Sequence, residues 1–354
     1  MSASANQDWC QLLQQMGEQL RPLGLGQLSE LSDVERRGLD RYGVLLSPQQ
    51  VRQSVGYFEH QGQRIALYRF RPLQARGSCF LLHGYYDHVG LYGHLIRFLL
   101  GQGFEVVAID LPGHGLSEGE RASIKEFCHY RQLLGELVSN AARDGLPRPW
   151  VAMGQSTGAG ILADFVLSAD ATSKAKAHSP FDQLVMLAPL LRPHRWPLAR
   201  IAHCLLNPLI REIPRSYSRN SSDEAFLDFV RYRDPLQPRI LPLAWVAALG
   251  RWIPRMLAAS PSQCASLIVQ GEADQTVDWR FNIPVYTRLF PAAKVLYLPQ
   301  AGHHLANESV SLREYYLHWL SQNLINDGGV GADTKGYTRV QEDEIETVES
   351  FDAE

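Results

Sequence analysis

Val151-Ala152-Met153-Gly154-Gln155-Ser156-Thr157-Gly158-Ala159-Gly160 sets a serine between two glycines, directly after an apolar run and directly before a run of helical character. This G-x-S-x-G order predicts a sharp strand-to-helix turn with Ser156 at its apex. Gly154 and Gly158 are required because a Cβ at either position would collide with the neighbouring strand and helix. The turn lifts the serine hydroxyl to where a substrate reaches it. It also aims the Thr157 backbone N–H, at the helix start, towards the place where negative charge would develop on an attacked carbonyl.

Short apolar runs bounded by Gly and Pro surround this turn. Residues 79–82, 105–109, 150–153, 184–188, 267–269 and 294–298 read as short, mostly apolar buried parallel strands. Helical patterns alternate with them at 123–143, 158–169, 282–290 and 309–324, the first opened by Ser123 with Glu126 as a capping box. Such alternation predicts an α/β protein, a mostly parallel central sheet with helices on both faces. Ahead of it, residues 57–71 suggest a hairpin turning at Gln61-Gly62, and residues 1–50 suggest outer helices with Leu12, Leu13, Met16 and Leu20 at helical spacing.

The rhythm changes between residues 191 and 262, where nine prolines and Trp196, Trp245 and Trp252 replace any strand pattern. This segment is expected to be a helical cap, with apolar faces at 198–210 and 243–257, lying as a lid over the site. The predicted organisation is a helical segment (1–50), the first part of the core (51–190), the cap (191–262), the second part of the core (263–326) and an acidic disordered tail (327–354).

A serine hydroxyl is a weak nucleophile and needs a base to take its proton. Asp274 lies in the turn past the strand at 267–269, and His303 just past the strand at 294–298. Groups beyond the carboxyl ends of neighbouring parallel strands gather along one edge, so Ser156, Asp274 and His303 are expected to meet. His303 would accept the serine proton and Asp274 would fix the imidazole tautomer. His304 and Asp278 are the neighbouring alternatives, Asp278 also fitting an N-cap before Trp279. A second oxyanion donor is expected from the Tyr85 N–H, with Gly84 allowing close approach. His83 and His88 suit structural hydrogen bonding, and no metal-ligand spacing is present.

Lys+Arg (34) nearly balances Asp+Glu (37) for a net charge of −3, which argues against a nucleic-acid partner. The five cysteines are scattered without a C-x-x-C pair, the pattern of reduced, buried thiols in a cytoplasm. The first twenty residues lack the basic and apolar regions of a cleaved signal, and no apolar run is long enough to span a bilayer. Peripheral contact of the cap with the inner face of a membrane is the membrane mode left open.

Leu82-His83-Gly84 with His88 and Tyr92, the stretch Asp110-Leu111-Pro112-Gly113-His114-Gly115-Leu116-Ser117-Glu118-Gly119, the serine turn, Gly271-Glu272-Ala273-Asp274, and His303 with Glu308 together resemble the monoacylglycerol lipase/lysophospholipase branch of the α/β-hydrolases. The resemblance covers about residues 55–325. It implies the α/β-hydrolase fold, Ser156 as nucleophile, Asp274 and His303 as its partners, Tyr85 and Thr157 as oxyanion donors, and neither cofactor nor metal. It further implies hydrolysis of carboxylic esters of acyl lipids, lysophospholipase- or monoacylglycerol lipase-like, through an acyl-enzyme, with thioesters or small esters as the alternative and no protein partner. Gln155 and Thr157 flank the serine where such proteins commonly carry His and Met, and the histidine loop reads Gln-Ala-Gly-His-His.

Two other classes compete. Gly154-x-x-x-Gly158-x-Gly160 also fits a short-chain dehydrogenase, yet none of the five lysines has a tyrosine four positions earlier. A silent binding module on a hydrolase scaffold is the other, against which stands the complete Ser, Asp and His set.

Overall fold

The computed structural model describes residues 3–172, 179–198, 210–325 and 337–339. A nine-stranded sheet is formed by β1 (Val51–His60), β2 (Gln63–Pro72), β3 (Gly77–Leu82), β4 (Phe104–Ile109), β5 (Trp150–Gln155), β6 (Gln183–Leu187), β9 (Ala265–Gly271), β10 (Lys294–Leu298) and β11 (Tyr337–Arg339). Their spatial order is β1-β2-β4-β3-β5-β6-β9-β10-β11. The first two strands form an antiparallel hairpin turning through Gln61 and Gly62, and β2 is antiparallel to β4; all later neighbours are parallel.

Every residue of β3, β4, β5 and β6 is buried, so these strands read as continuous apolar runs rather than alternating ones. Their side chains still alternate between two cores. Phe80, Leu82 and Ala152 face the layer holding α4 (Phe127–Arg143), α5 (Thr157–Thr172), α7 (Leu243–Leu257) and α8 (Trp279–Leu289). Cys79, Leu81, Val151 and Met153 face α3 (Gly93–Gly101), α9 (Val310–Asn323) and the N-terminal helices α1 (Ala3–Glu18) and α2 (Asp33–Arg41), which contribute Met16 and Leu39. The chain reverses its direction of travel across the sheet between β3 and β5, the switch point at which an open parallel sheet leaves a crevice beyond its carboxyl ends.

Between β6 and β9 lie α7, the short helix α6 (Glu224–Asp228) and a two-stranded antiparallel ribbon of β7 (Glu212–Pro214) and β8 (Ile240–Pro242). The ribbon departs from the strand-free segment expected here; three-residue strands ending in proline carry too little pattern to be seen in sequence. α7 buries Trp245, Ala248, Leu249, Trp252 and Met256 along one face. Trp252 stacks on Phe127 of α4, centroids 4.8 Å apart, and Arg251 and Arg255 pair with Glu126 and Asp164. The piece expected at 198–210 falls almost wholly outside the described residues.

Three further expectations need correction. Helix α4 begins at Phe127 rather than Ser123, because Ala122 takes a left-handed φ of 50° and the Glu126 carboxylate accepts from Arg251 Nε at 2.9 Å instead of capping. The cysteines were expected to be buried, but Cys10 is exposed and Cys128 and Cys264 only partly buried; Cys79 is buried, and Cys204 lies outside the described residues. Residues 337–339 of the tail pair with β10 as a parallel edge strand instead of being disordered. The remainder of the tail lies outside the described residues.

The insert is fastened to the core by a buried carboxylate. Asp234 accepts from Tyr42 Oη at 2.7 Å, His88 Nε2 at 2.9 Å, Gln237 Nε2 at 2.9 Å and the Leu236 N–H at 3.0 Å. Burial opposes charge on both His88 and Asp234, but each ion outweighs it for the other, so the imidazole is raised and the carboxyl lowered. Asp234→Ala leaves a buried imidazole and phenol unpaired and should cost about 3–5 kcal/mol in chemical denaturation. The Asp234 contribution is present above the ordinary carboxyl value and lost as pH falls through its lowered folded value. That of His88 is present below the ordinary imidazole value and lost as pH rises through its raised folded value. The stability gap between the wild-type protein and Asp234→Ala should therefore be widest between about pH 4 and 6.5.

Candidate active site

Ser156 stands at the end of β5 with φ +53°, and its backbone is pinned from three sides. Its N–H donates to Leu187 O at 2.8 Å, and its carbonyl accepts from Gly160 N and Leu190 N, both at 3.0 Å. A Cβ on Gly154 would lie 2.6 Å from Ala159 N, and one on Gly158 would meet the Leu82 carbonyl and lie 2.7 Å from that of His83. The turn thus exists only because strand, helix and the loop after β3 touch backbone to backbone.

Ser156, His303 and Asp274 meet at the carboxyl edge of the sheet. Ser156 Oγ lies 2.8 Å from His303 Nε2, and His303 Nδ1 lies 2.7 Å from Asp274 Oδ2. Asp274 also accepts from Gln270 Nε2 at 3.2 Å and from the N–H groups of Thr276 and Val277 at 2.7 and 3.0 Å. Burial alone would raise its carboxyl, but His303 and these two N–H groups hold it below the usual carboxylate range. An ionised Asp274 makes Nδ1 the proton-bearing nitrogen, which leaves Nε2 as an acceptor facing the hydroxyl. Such a chain can draw the proton off the serine as it attacks a carbonyl.

The histidine loop has its own clamps. Glu308 Oε1 accepts from Gly302 N at 2.6 Å, and its Oε2 accepts from Ser222 N at 2.8 Å. Gln155 reaches across with Oε1 accepting from Ala306 N at 2.9 Å and Nε2 donating to His303 O at 3.4 Å. Sequence reasoning singled out Gln155 only as a departure; here it ties the serine turn to the histidine loop. The two alternative residues are otherwise engaged. His304 donates from Nε2 to Asp87 at 3.1 Å, while Asp278 stands at the N-cap position of α8 with its carboxylate on Arg192.

Tyr85 follows β3, where a Cβ on Gly84 would lie 3.5 Å from Ser156 Cβ. The Tyr85 N–H has no acceptor among the described residues, and Thr157 opens α5 without a preceding helical turn to bond. The loop is held by Tyr92 Oη, which accepts from Gly84 N and donates to Asp87, both at 2.8 Å. Asp87 was not singled out from sequence, since its role depends on the fold. The Tyr85 ring stacks on Trp245 of α7 at 3.9 Å, so the insert covers this edge of the site. His83 spans Gly84 O and Leu111 N at 2.7 and 2.8 Å, a structural link, and its burial lowers its pKa. Among the described residues no cluster of three or more His, Cys, Asp or Glu could hold a metal.

A cavity of about 570 Å³ opens over Ser156 and His303. Leu190, Trp196, Leu241, Trp245, Val246 and Leu249 make part of its wall apolar, and residues 215–220 make another part polar.

Residues 73–310 match the family model described as serine aminopeptidase, S33, and the chain belongs to that family of α/β-hydrolases. Human monoglyceride lipase is 25% identical over 302 residues, covering 80% of this chain and 97% of that one. The monoacylglycerol lipase of Mycolicibacterium smegmatis is 36% identical over 87 residues, a match covering 25% of this chain and 31% of that protein. A soluble variant of Saccharomyces cerevisiae monoglyceride lipase, solved with a substrate analogue, superposes with a TM-score of 0.64 at 18% identity, covering 79% of this chain and 97% of that one. Among the described residues no helix is long and apolar enough to cross a membrane.

The contacts at the turn set a steric test. Gly158→Ala forces a methyl onto two backbone carbonyls that cannot move independently, and should cost upwards of about 3 kcal/mol, read as a lowered denaturation midpoint or as insoluble protein.

Proposed function

We propose that this chain hydrolyses carboxylic esters of acyl lipids by way of an acyl-enzyme on Ser156. The observation that carries the reading is the Ser156–His303–Asp274 hydrogen-bond chain opening onto a cavity with an apolar wall. Ser156 Oγ attacks the ester carbonyl while His303 Nε2 takes its proton, and the oxyanion is met by the N–H groups of Tyr85 and Thr157. Collapse expels the alcohol, protonated by His303, and leaves the acyl group on Ser156. Water, deprotonated by the same imidazole, then releases the fatty acid. Asp274 stays ionised throughout and stabilises the imidazolium. The apolar wall under α7 sheathes the acyl chain, consistent with the monoacylglycerol lipase branch to which the relatives belong.

In this reading the insert is the lid, and its exposed Leu198 and Ile210, 64% and 38% accessible, suit contact with a lipid surface. The scattered cysteines, with no C-x-x-C pair, suit a cytoplasmic setting at the inner face of a membrane.

Ser156→Ala should abolish hydrolysis and labelling by a fluorophosphonate while leaving the denaturation midpoint near that of the wild type; an adduct on another serine would refute the assignment. Asp274→Asn, which permits the wrong tautomer, should lower kcat by about 10⁴. A panel of monoacylglycerols, acyl-CoA and nitrophenyl esters of graded chain length tests the acyl preference; equal rates on short and long chains would contradict it.

A further inference from the structure

One wall of the cavity over Ser156 is made by a piece of chain too short to hold itself. Leu227 and Asp228 of α6, and Val230 and Arg231 of the π-helical turn that follows (Phe229–Arg233), line it. The turn is closed by the Asp234 N–H, which donates to Phe229 O five residues back at 2.9 Å. A five-residue helix has no cooperative stability of its own, and a π turn is rarely adopted. α6 contains no buried residue, and the turn contains only Val230. What fixes this wall must therefore come from outside it.

Its leading end is tied to the histidine loop, through Ser222 N on Glu308 and the Phe226 ring, whose centroid lies 4.5 Å from that of His304. Its trailing end and its back are held by the N-terminal helices. Phe229 packs on Trp9 of α1 and on Tyr42, which follows α2, with centroids 5.7 and 6.2 Å away. Those two rings lie 5.2 Å apart, so the three close into one aromatic cluster. The Tyr42 hydroxyl donates to Asp234, which ends the turn, at 2.7 Å. The Tyr42 ring also stands edge-on to His88 at 4.8 Å, in the loop that carries Tyr85. A Cβ on Gly90 would lie 2.9 Å from both Tyr42 Cγ and His88 Cε1, so this contact needs a glycine beneath it. Tyr42 thus touches the cavity-lining turn and the loop after β3 at once. Both Trp9 and Tyr42 stand ahead of residue 73, where the family match begins.

We infer that Trp9 and Tyr42 are positioning residues for the ester site: the N-terminal helices hold residues 224–233 against the cavity and so set the affinity for esters large enough to reach that wall. The inference deepens the proposed reading of Ser156 and its cavity and rests on it. Neither Trp9 nor Tyr42 lines the cavity. They act through Phe229 and Asp234, while the Ser156–His303–Asp274 chain keeps its own clamps in Gln155 and Glu308. When the wall is in place in only a fraction of molecules, the apparent affinity for a large ester falls by that fraction. An ester too small to reach the wall is indifferent to it.

The test assays the full chain and the variants Tyr42→Phe, Trp9→Ala and Trp9→Phe for kcat and KM on 1-palmitoylglycerol and nitrophenyl acetate, and follows amide hydrogen exchange across residues 224–233. In Tyr42→Phe and Trp9→Ala, KM for 1-palmitoylglycerol should rise roughly three- to tenfold, part of what a hydrogen bond to a charged group is worth, with kcat on both esters and KM for nitrophenyl acetate near wild type. Exchange at 224–233 should quicken while that of β5 and α5 stays unchanged. Trp9→Phe, which keeps a ring in the cluster, should restore most of the KM. Unchanged exchange at 224–233, or a KM for 1-palmitoylglycerol that stays at the wild-type value, would overturn the inference. So would kcat falling equally on both esters together with the denaturation midpoint, the mark of a merely structural role. Tyr42→Phe removes a single oxygen, so it decides the matter if Trp9→Ala does not fold. Fluorophosphonate labelling of Ser156 and wild-type hydrolysis of nitrophenyl acetate report on the nucleophile, and exchange reports on the wall without turnover, so the two readings fail separately.

Discussion

The close approach of three backbones around Ser156 is the constraint on which the rest depends. The serine holds a left-handed conformation that costs a side-chain-bearing residue of order 1–3 kcal/mol, and it does so because β5, α5 and the loop after β3 leave no alternative path. Gly154 and Gly158 supply the missing atoms that let strand and helix touch, and the carbonyls of Leu82 and His83 close the remaining side. That contact also brings Gly84 and Tyr85 up against Ser156. One packing condition therefore raises the hydroxyl and presents two unpaired N–H groups beside it.

Around this turn the protein uses buried carboxylates as fixed anchors, each surrounded by donors. Asp110 accepts from Tyr68 Oη and from the N–H groups of Val89 and Leu116, which folds the glycine-rich loop after β4 back on the sheet. Asp234 fastens the insert, Asp87 the loop bearing Tyr85, and Asp274 the imidazole. For Asp87, Asp234 and Asp274 desolvation opposes the charge and the partners overcome it, so these anions hold loops in one arrangement at the edge where geometry matters most. Arg215 and Arg231 on the cavity wall, by contrast, have no carboxylate within 4.0 Å among the described residues.

Much of this was legible in the chain. Mostly apolar runs at β3 to β6 signalled strands covered on both faces, and Gly-Gln-Ser-Thr-Gly at the end of β5 could be little other than a turn that exposes its serine. Asp274 and His303 were legible because each follows an apolar strand by a few residues, a spacing that leads to the same sheet edge. Local signals misled where tertiary contacts competed for the same group: Glu126 resembled half of a capping box, but Arg251 of the insert claims its carboxylate. Short elements such as β7 and β8 were invisible, since three residues carry no period.

What the sequence by itself determined is the strand and helix periodicity, the glycine-flanked serine and the order of serine, aspartate and histidine, because these follow from local sterics and from the alternation of apolar residues. Only the tertiary structure decided that His304 turns to Asp87 while His303 turns to Ser156, that Gln155 bridges to the histidine loop, and that Arg215, Arg231 and Arg239 converge on one tyrosine. Those pairings join residues far apart in the chain, and their partners are chosen by how the insert packs across the edge of the sheet, a geometry that no local pattern encodes.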